Sequence, residues 1–572
     1  MAPGNPVTAR EPLDYRARMP IPAGDSPFDA LVAELVADQL RANPVLASGL
    51  GVTEHDSELP DLSTDGIAAR ERAEDDWVRR LRAVDEGGLT DDELIDRDLA
   101  LMVLRGRELQ RDWADWRRTP DPYAGAALSG VFGLLQNRLR PDGELAEAVA
   151  ARLRATPDLL AQGRVNLDPS LASPVLLRRS LGQIGAGAAY SRSVSAEFAG
   201  DRTAAALVAE AGEAAAAAFE ELGAHVESMV ERATGDWAIG EDRYSALLRE
   251  AEGLSYGARE LHEKGRALYD ELAADMRARS QELRGTDDFL EVLRGFNDDH
   301  PETPEEMLAL YQEATDAARG FCAEHDLVTM PDGESCVVAP SAPFTRSMIA
   351  VAHYMQPPPF APAPAGAGGR PGHFFVPYPP DRSSPEQVAE RLATNNRHGA
   401  WSIAVHEAYP GHHWQFAWLA AQSAAGRARP LRFVFGSTYF VEGWGLYAED
   451  LLREQGFFRT PEQELAQRDY RLFRAARIIV DTALHMGDMT VEEGVDFMAT
   501  KSSLSRDTAR AEVLRYCAWP TQASSYLTGA VEIARMRDRW LTEARGPLKE
   551  FHDLAAGSGR LPIGLVERTL FG

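Results

Sequence analysis

The sequence predicts a mostly α-helical fold, a large multi-helix body with few short strands. Three observations carry that prediction. Apolar residues recur at spacings of three and four through most of the 572 residues, which is the period of one helix face. Alternating apolar and polar runs, the mark of a half-buried strand, are scarce. No unit recurs at a fixed period, so a helical solenoid has little support.

The elements can be justified in chain order. Residues 26–46 place Phe28, Leu31, Leu35 and Leu40 on one stripe after an Asp25 or Ser26 cap. Similar stripes predict helices over 67–84, 91–116, 145–160, 203–230, 244–284 and 304–324. The alanine-rich run 204–224 reads as a helix of high intrinsic propensity. Short strands are expected at 335–339 and 373–377, where β-branched or aromatic residues stand between turn formers. Stacked Pro and Gly across 357–372 defeat both helix and ladder. That stretch reads as a linker, or else a flap, between a mainly helical region 1–356 and a helical metal-site region 373–572 within one continuous unit.

Composition narrows the function classes. The net charge is −28 and the pI about 4.9, which argues against nucleic acid or an anionic membrane as partner. Lys264, Lys501 and Lys549 are the only lysines, so the arginine bias reads as coding composition. Cys322, Cys336 and Cys517 lack CxxC spacing and are expected as buried thiols. No apolar run approaches the roughly 20 residues of a membrane span. Residues 1–22 lack a signal-peptide core, so the cytoplasm is the expected location.

The chemistry concentrates in His406-Glu407-Ala408-Tyr409-Pro410-Gly411-His412-His413 and in Glu442-Gly443-Trp444-Gly445-Leu446-Tyr447-Ala448-Glu449. Two imidazoles, a carboxylate beside the first and a further acid on a separate segment are the parts of a zinc hydrolase site. The spacing is unusual. Histidines four apart on a helix are rotated by about 40° and can grip one ion, whereas positions six apart are rotated by about 240°. A bulge at Pro410-Gly411 could restore the register, because proline removes a backbone donor and glycine tolerates unusual dihedrals. His412 is then the favoured second ligand and His413 its competitor. Glu407 is suited to be general base. For the third ligand, Glu442 is favoured over Glu449, which could instead orient a ligand imidazole from behind.

HEAYPGHHWQ, EGWGLYAEDL, RIIVDTALHMG and WPTQASSYLTG, in this order, resemble the characteristic blocks of the bacterial DUF885 family, helical proteins with a metallopeptidase-like site. The first two blocks are also similar to gluzincins, in which two histidines and a downstream glutamate bind zinc. Dipeptidyl peptidase III offers a parallel, its motif being expanded by one residue where this one is expanded by two. The resemblance implies a zincin-like helical catalytic half and one Zn2+ per chain, although other divalent metals suit the same ligands.

Later residues could serve the substrate. Arg477, Asp481 and His485 form one helical stripe, readable either as a buried salt bridge or as catalytic, with His485 on an oxyanion or as proton shuttle. Tyr526 resembles the tyrosines that donate to a tetrahedral intermediate in gluzincins, with packing as the equal alternative. Gln522 stands one turn before it. Tyr378, Tyr409, Trp414, Trp444 and Tyr447 could line a pocket but more often such aromatics pack. His353, His373 and His398 lack acidic neighbours at ligand spacing. The expectation is a zinc-dependent hydrolase of peptide or amide bonds, acting on small peptides or amide-containing small molecules. The alternatives are a metal-dependent hydrolase or lyase of a non-peptide metabolite, and a non-catalytic helical metal-binding protein.

Overall fold

In a computed structural model of the chain, the residues described are 26–342, 345–346, 349, 351–361, 370–380, 382–424 and 429–572. They are mostly helical, as the apolar spacing requires, with one three-stranded sheet. The predicted first helix runs Pro27–Ala42, capped by Ser26, and breaks at Asn43 before Pro44–Gly49. The helix predicted over 304–324 is found as Pro304–Glu324, opened by a Thr303 cap. That over 203–230 is found as Arg202–Val230 behind an Asp201 cap.

The stretch 244–284 is not one helix. It divides into Glu241–Ala246, a π-helical turn Leu247–Ala251 and the helix Ala258–Arg284. Gly253 lies between them at φ +70, and a side chain there would run into the backbone of Gly564. Local apolar spacing continues across this break, so periodicity alone does not register it.

The sheet has the order β1-β3-β2, with β1 Cys336–Pro340, β2 His353–Met355 and β3 Gly372–Val376. The two strands expected from sequence are β1 and β3, which pair in parallel. β2 has only three residues and pairs antiparallel with β3, too short to show a period. The Pro/Gly-rich stretch 357–372 therefore connects two strands of one sheet. Residues 362–369 of it lie outside the described residues. Its Phe360 is buried, donates its N–H to the carbonyl of Leu50 and packs on Phe433.

The largest apolar core runs from Phe28 to Leu570 and holds residues from both sides of that stretch. Two smaller cores lie mainly among helices between residues 121 and 230, one of them also taking in Leu62. Three helices of the main core pack against one another: Thr438–Glu454, Pro461–Met486 and Gln522–Thr542. The closest approach is between Gly443 and Gly529, where added Cβ atoms would meet backbone at 2.5 Å and 1.8 Å.

Candidate metal centre

The motif helix Gly399–Glu407 stops just after His406, and a second helix begins at His412. Between them the chain makes a turn that includes a cis peptide bond between Tyr409 and Pro410. The expected bulge inside one helix is thus a break between two. Its hydrogen bonds show how the register is recovered. The Gly411 N–H donates to the carbonyl of Val405 and the Trp414 N–H to that of Ala408, both at 3.1 Å. Each spans six residues where an α-helix spans four, so the turn absorbs two residues and His412 takes the station an unbroken helix would give position 410. Gly411 is obligatory here, since a Cβ would sit 1.9 Å from the His406 carbonyl oxygen.

His406, His412 and Glu442 converge, with one ligand atom of each within 4.8 Å of the others. The Glu442 carboxylate stands 3.8 Å from His406 Nε2 and 3.7 Å from His412 Nε2. Those distances exceed a hydrogen bond. They approach the roughly 3.4 Å that separates tetrahedral N and O ligands when each bond to a cation is ~2.1 Å. Behind His406, the Glu449 carboxylate lies 2.8 Å from Nδ1 and also accepts from the Ser402 hydroxyl at 2.5 Å. With its Nδ1 proton directed to Glu449, the ring turns Nε2 to the space shared with His412 and Glu442, where a bound cation would displace the Nε2 proton. This donor set fits a divalent cation such as zinc. Gly445 lets the Glu442 helix pass directly over the ring, since a Cβ there would be 2.7 Å from His406.

The carboxylates and imidazoles of the cluster shift one another's pKa values. Burial would lower the His406 pKa, but the carboxylates of Glu442, Glu449 and Glu407 overcome it and raise it to about 10. Burial would raise that of Glu442, yet His406 and His412 hold it far below the carboxylate range. Glu407 accepts a hydrogen bond from the Tyr354 N–H of β2 at 2.8 Å, which fixes its carboxylate against the sheet.

His413 is turned away from the cluster. Its Nε2 lies 2.8 Å from Glu334 and its Nδ1 3.3 Å from the Tyr354 hydroxyl. Glu334 also accepts from Tyr409 at 2.6 Å and Arg319 at 2.9 Å. Nothing in sequence singles out Glu334, Tyr354 or Ser402, which reach the site only through tertiary packing.

Tyr526 stands one turn before Gly529, beside Glu442, and both burial and the Glu442 charge raise its pKa. Its hydroxyl accepts from Gln522 at 3.4 Å. Arg477 crosses its ring at 4.8 Å and pairs with Glu512 at 2.9 Å; the expected Arg477–Asp481 bridge is absent among the described contacts. Asp481 accepts instead from Tyr244 and from the Ser524 N–H. His485 is fully buried and lies outside the cluster. Its Nε2 meets the Tyr516 carbonyl at 3.0 Å and its Nδ1 accepts from the Ile239 N–H at 3.4 Å, so both nitrogens are spent on backbone.

The neighbouring aromatics mostly pack. The Trp444 indole donates to the Pro410 carbonyl, Trp414 donates to that of Thr329, and the Tyr447 hydroxyl meets His552. The cysteines are free, with Cys322 and Cys517 buried and Cys336 half-buried. A separate cavity of about 770 Å³, lined by Glu74, Arg107, Glu252 and Tyr439 among others, is lined by none of the three converging residues.

Fold and site together define a mostly α-helical protein with a candidate metal centre of two histidines and one glutamate. The chain belongs to the family described as "Bacterial protein of unknown function (DUF885)", matched over residues 44–570. It is similar in structure to a putative lipoprotein of unknown function from Shewanella oneidensis, at TM-score 0.77 and 20% identity, covering 96% of this chain and 100% of that one. A second similar structure is the putative lipoprotein from Colwellia psychrerythraea, at TM-score 0.78 and 18% identity, covering 94% of this chain and 98% of that one. At these identities the likeness is one of fold. No curated protein matches the chain. No described helix is long and apolar enough to cross a membrane.

Proposed function

We propose that this protein is a metal-dependent hydrolase of peptide or amide bonds, with zinc as the preferred cation. The observation that carries the reading is the convergence of His406, His412 and Glu442, with Glu407 adjoining the first and Glu449 behind it. A divalent cation held there supplies Lewis-acid polarisation of a carbonyl and acidifies water. Glu407, steadied by the Tyr354 N–H, takes a proton from the attacking water and delivers it to the leaving nitrogen. The Tyr526 hydroxyl accepts from Gln522, leaving its own proton to donate to the carbonyl oxygen as negative charge builds there. A site this enclosed, with the Glu442 side chain 23% exposed, suits short or unfolded peptides and small amides.

Zinc analysis of the purified protein beside His406→Ala and His412→Ala tests the ligand set. About one zinc per chain, lost in both variants, is expected. Glu407→Gln should bind zinc normally and lose hydrolysis of a peptide library by about a hundredfold or more. Full activity in Glu407→Gln, or a native chain that takes up no zinc when offered it, would sink the proposal.

A further inference from the structure

Four arginines stand three residues apart on the helix Pro461–Met486: Arg468, Arg471, Arg474 and Arg477. Three rest on carboxylates. Arg468 pairs with Asp275, Arg471 with Asp450, and Arg477 with Glu512 at 2.9 Å. Arg474 alone has no carboxylate within ion-pair distance among the described residues. Its Nη1 donates to the Tyr470 carbonyl at 3.2 Å, in its own helix. Its Nε is buried without a hydrogen-bond partner. Asp469 feels the Arg474 charge without pairing with it: its Oδ2 accepts from the Ser503 hydroxyl, 2.6 Å away, and its Oδ1 has no hydrogen-bond partner.

The position of this cation matters as much as its lack of a counter-ion. The Arg474 guanidinium lies over three aromatic rings, at 5.4 Å from Tyr470, 5.6 Å from Phe473 and 5.8 Å from Tyr526. Tyr526 belongs to the wall beside Glu442, one turn from the Gly443–Gly529 contact. Arg474 is half-buried, its Nε closed off from solvent, and a planar guanidinium fork matches a carboxylate through two parallel hydrogen bonds. In a chain of net charge −28, an anionic substrate would also need a local cation to hold it.

We propose that Arg474 receives a carboxylate of the substrate, so that the substrates are peptides or acylated amino acids with a free C-terminal carboxylate. The proposal rests on the hydrolase reading of the neighbouring centre. Arg474 is then a specificity residue, Tyr526 and Phe473 forming the faces of its pocket.

The test is affinity selection, read by mass spectrometry, on zinc-loaded Glu407→Gln protein. The probes are one library of N-acetylated tripeptides with free carboxylates and the same library as carboxamides. The free acids should be retained about 10- to 100-fold better than the amides, the range for a charge-assisted pair partly shielded from water. Adding Arg474→Gln should remove that preference while zinc content and thermal midpoint stay unchanged. Arg474→Lys, which keeps charge but loses the fork, should recover part of it. Equal retention of acids and amides, no retention of either, or a preference that survives Arg474→Gln would overturn the proposal. Acid-selective binding with no turnover by the native enzyme would leave the Arg474 subsite standing and remove the hydrolase reading instead.

Discussion

His406 is held from two sides, and the two contacts have different consequences. Nε2 faces Glu442 and His412, while Nδ1 is tied to Glu449, itself 1% exposed and bound by Ser402. Removing the Glu449 charge should leave the ligand count intact and loosen the orientation of the ring. For Glu449→Gln we expect metal affinity to fall by about 10- to 100-fold, the cost of losing such an outer contact. Competition with a chelator measures it; unchanged affinity would show that the Ser402–Glu449 pair is only packing. At this scale much was legible. His406, His412 and Glu442 converge, and Glu449 meets the His406 ring from the other side. His485 does not join them, because a buried imidazole on an apolar face is equally well satisfied by backbone, here the Tyr516 carbonyl and the Ile239 N–H.

Among the elements, the sheet is fastened to the second motif helix through one buried carboxylate. Burial alone would raise the Glu334 pKa, but hydrogen bonds from His413, Tyr409 and Arg319 bring it down to about 2. A carboxylate with a depressed folded pKa stabilises the fold above its unfolded value, near 4.5, and loses that contribution as pH falls towards 2. The urea midpoints of native protein and Glu334→Gln should therefore differ most above pH 5 and converge between about pH 4.5 and 2. A gap that stays constant across that window would exclude the linkage. The elements on either side show why this contact could not be read in advance. β2 is three residues long, and Glu334 precedes a strand with no local signal of a distant histidine partner.

Across the whole molecule, the N-terminal helices are tied to the C-terminal helices by charge as well as by the shared core. Asp96, on the helix Asp91–Arg111, is fully buried and meets both Arg432 and Arg429. Arg432 is 2% exposed and also bonds Asp92 and the Ser558 carbonyl. Truncating Arg432 to Ala strands part of a buried charge, although Arg429 still faces it. We expect a loss of about 3 kcal/mol, the low end for breaking a buried pair, read from the denaturant midpoint with zinc content unchanged. A loss under about 0.5 kcal/mol would place the junction among contacts of exposed strength. The stretch of stacked Pro and Gly at 357–372 joins two strands of one sheet and seats Phe360 in the core.

By itself the sequence determined the helical class, since apolar spacing of three and four leaves no other efficient burial. It also singled out His406, His412 and Glu442, three side chains that converge in the fold. The tertiary structure alone decided how a six-residue histidine spacing closes on one point, through two hydrogen bonds that each reach two residues further than a helix allows. It alone decided that His413 turns to Glu334, that Arg477 takes Glu512 and that the Arg474 Nε is buried without a hydrogen-bond partner. Periodicity reports which face of a segment is buried, whereas the partner of a buried charge is set by elements tens to hundreds of residues away, and no local pattern encodes that choice.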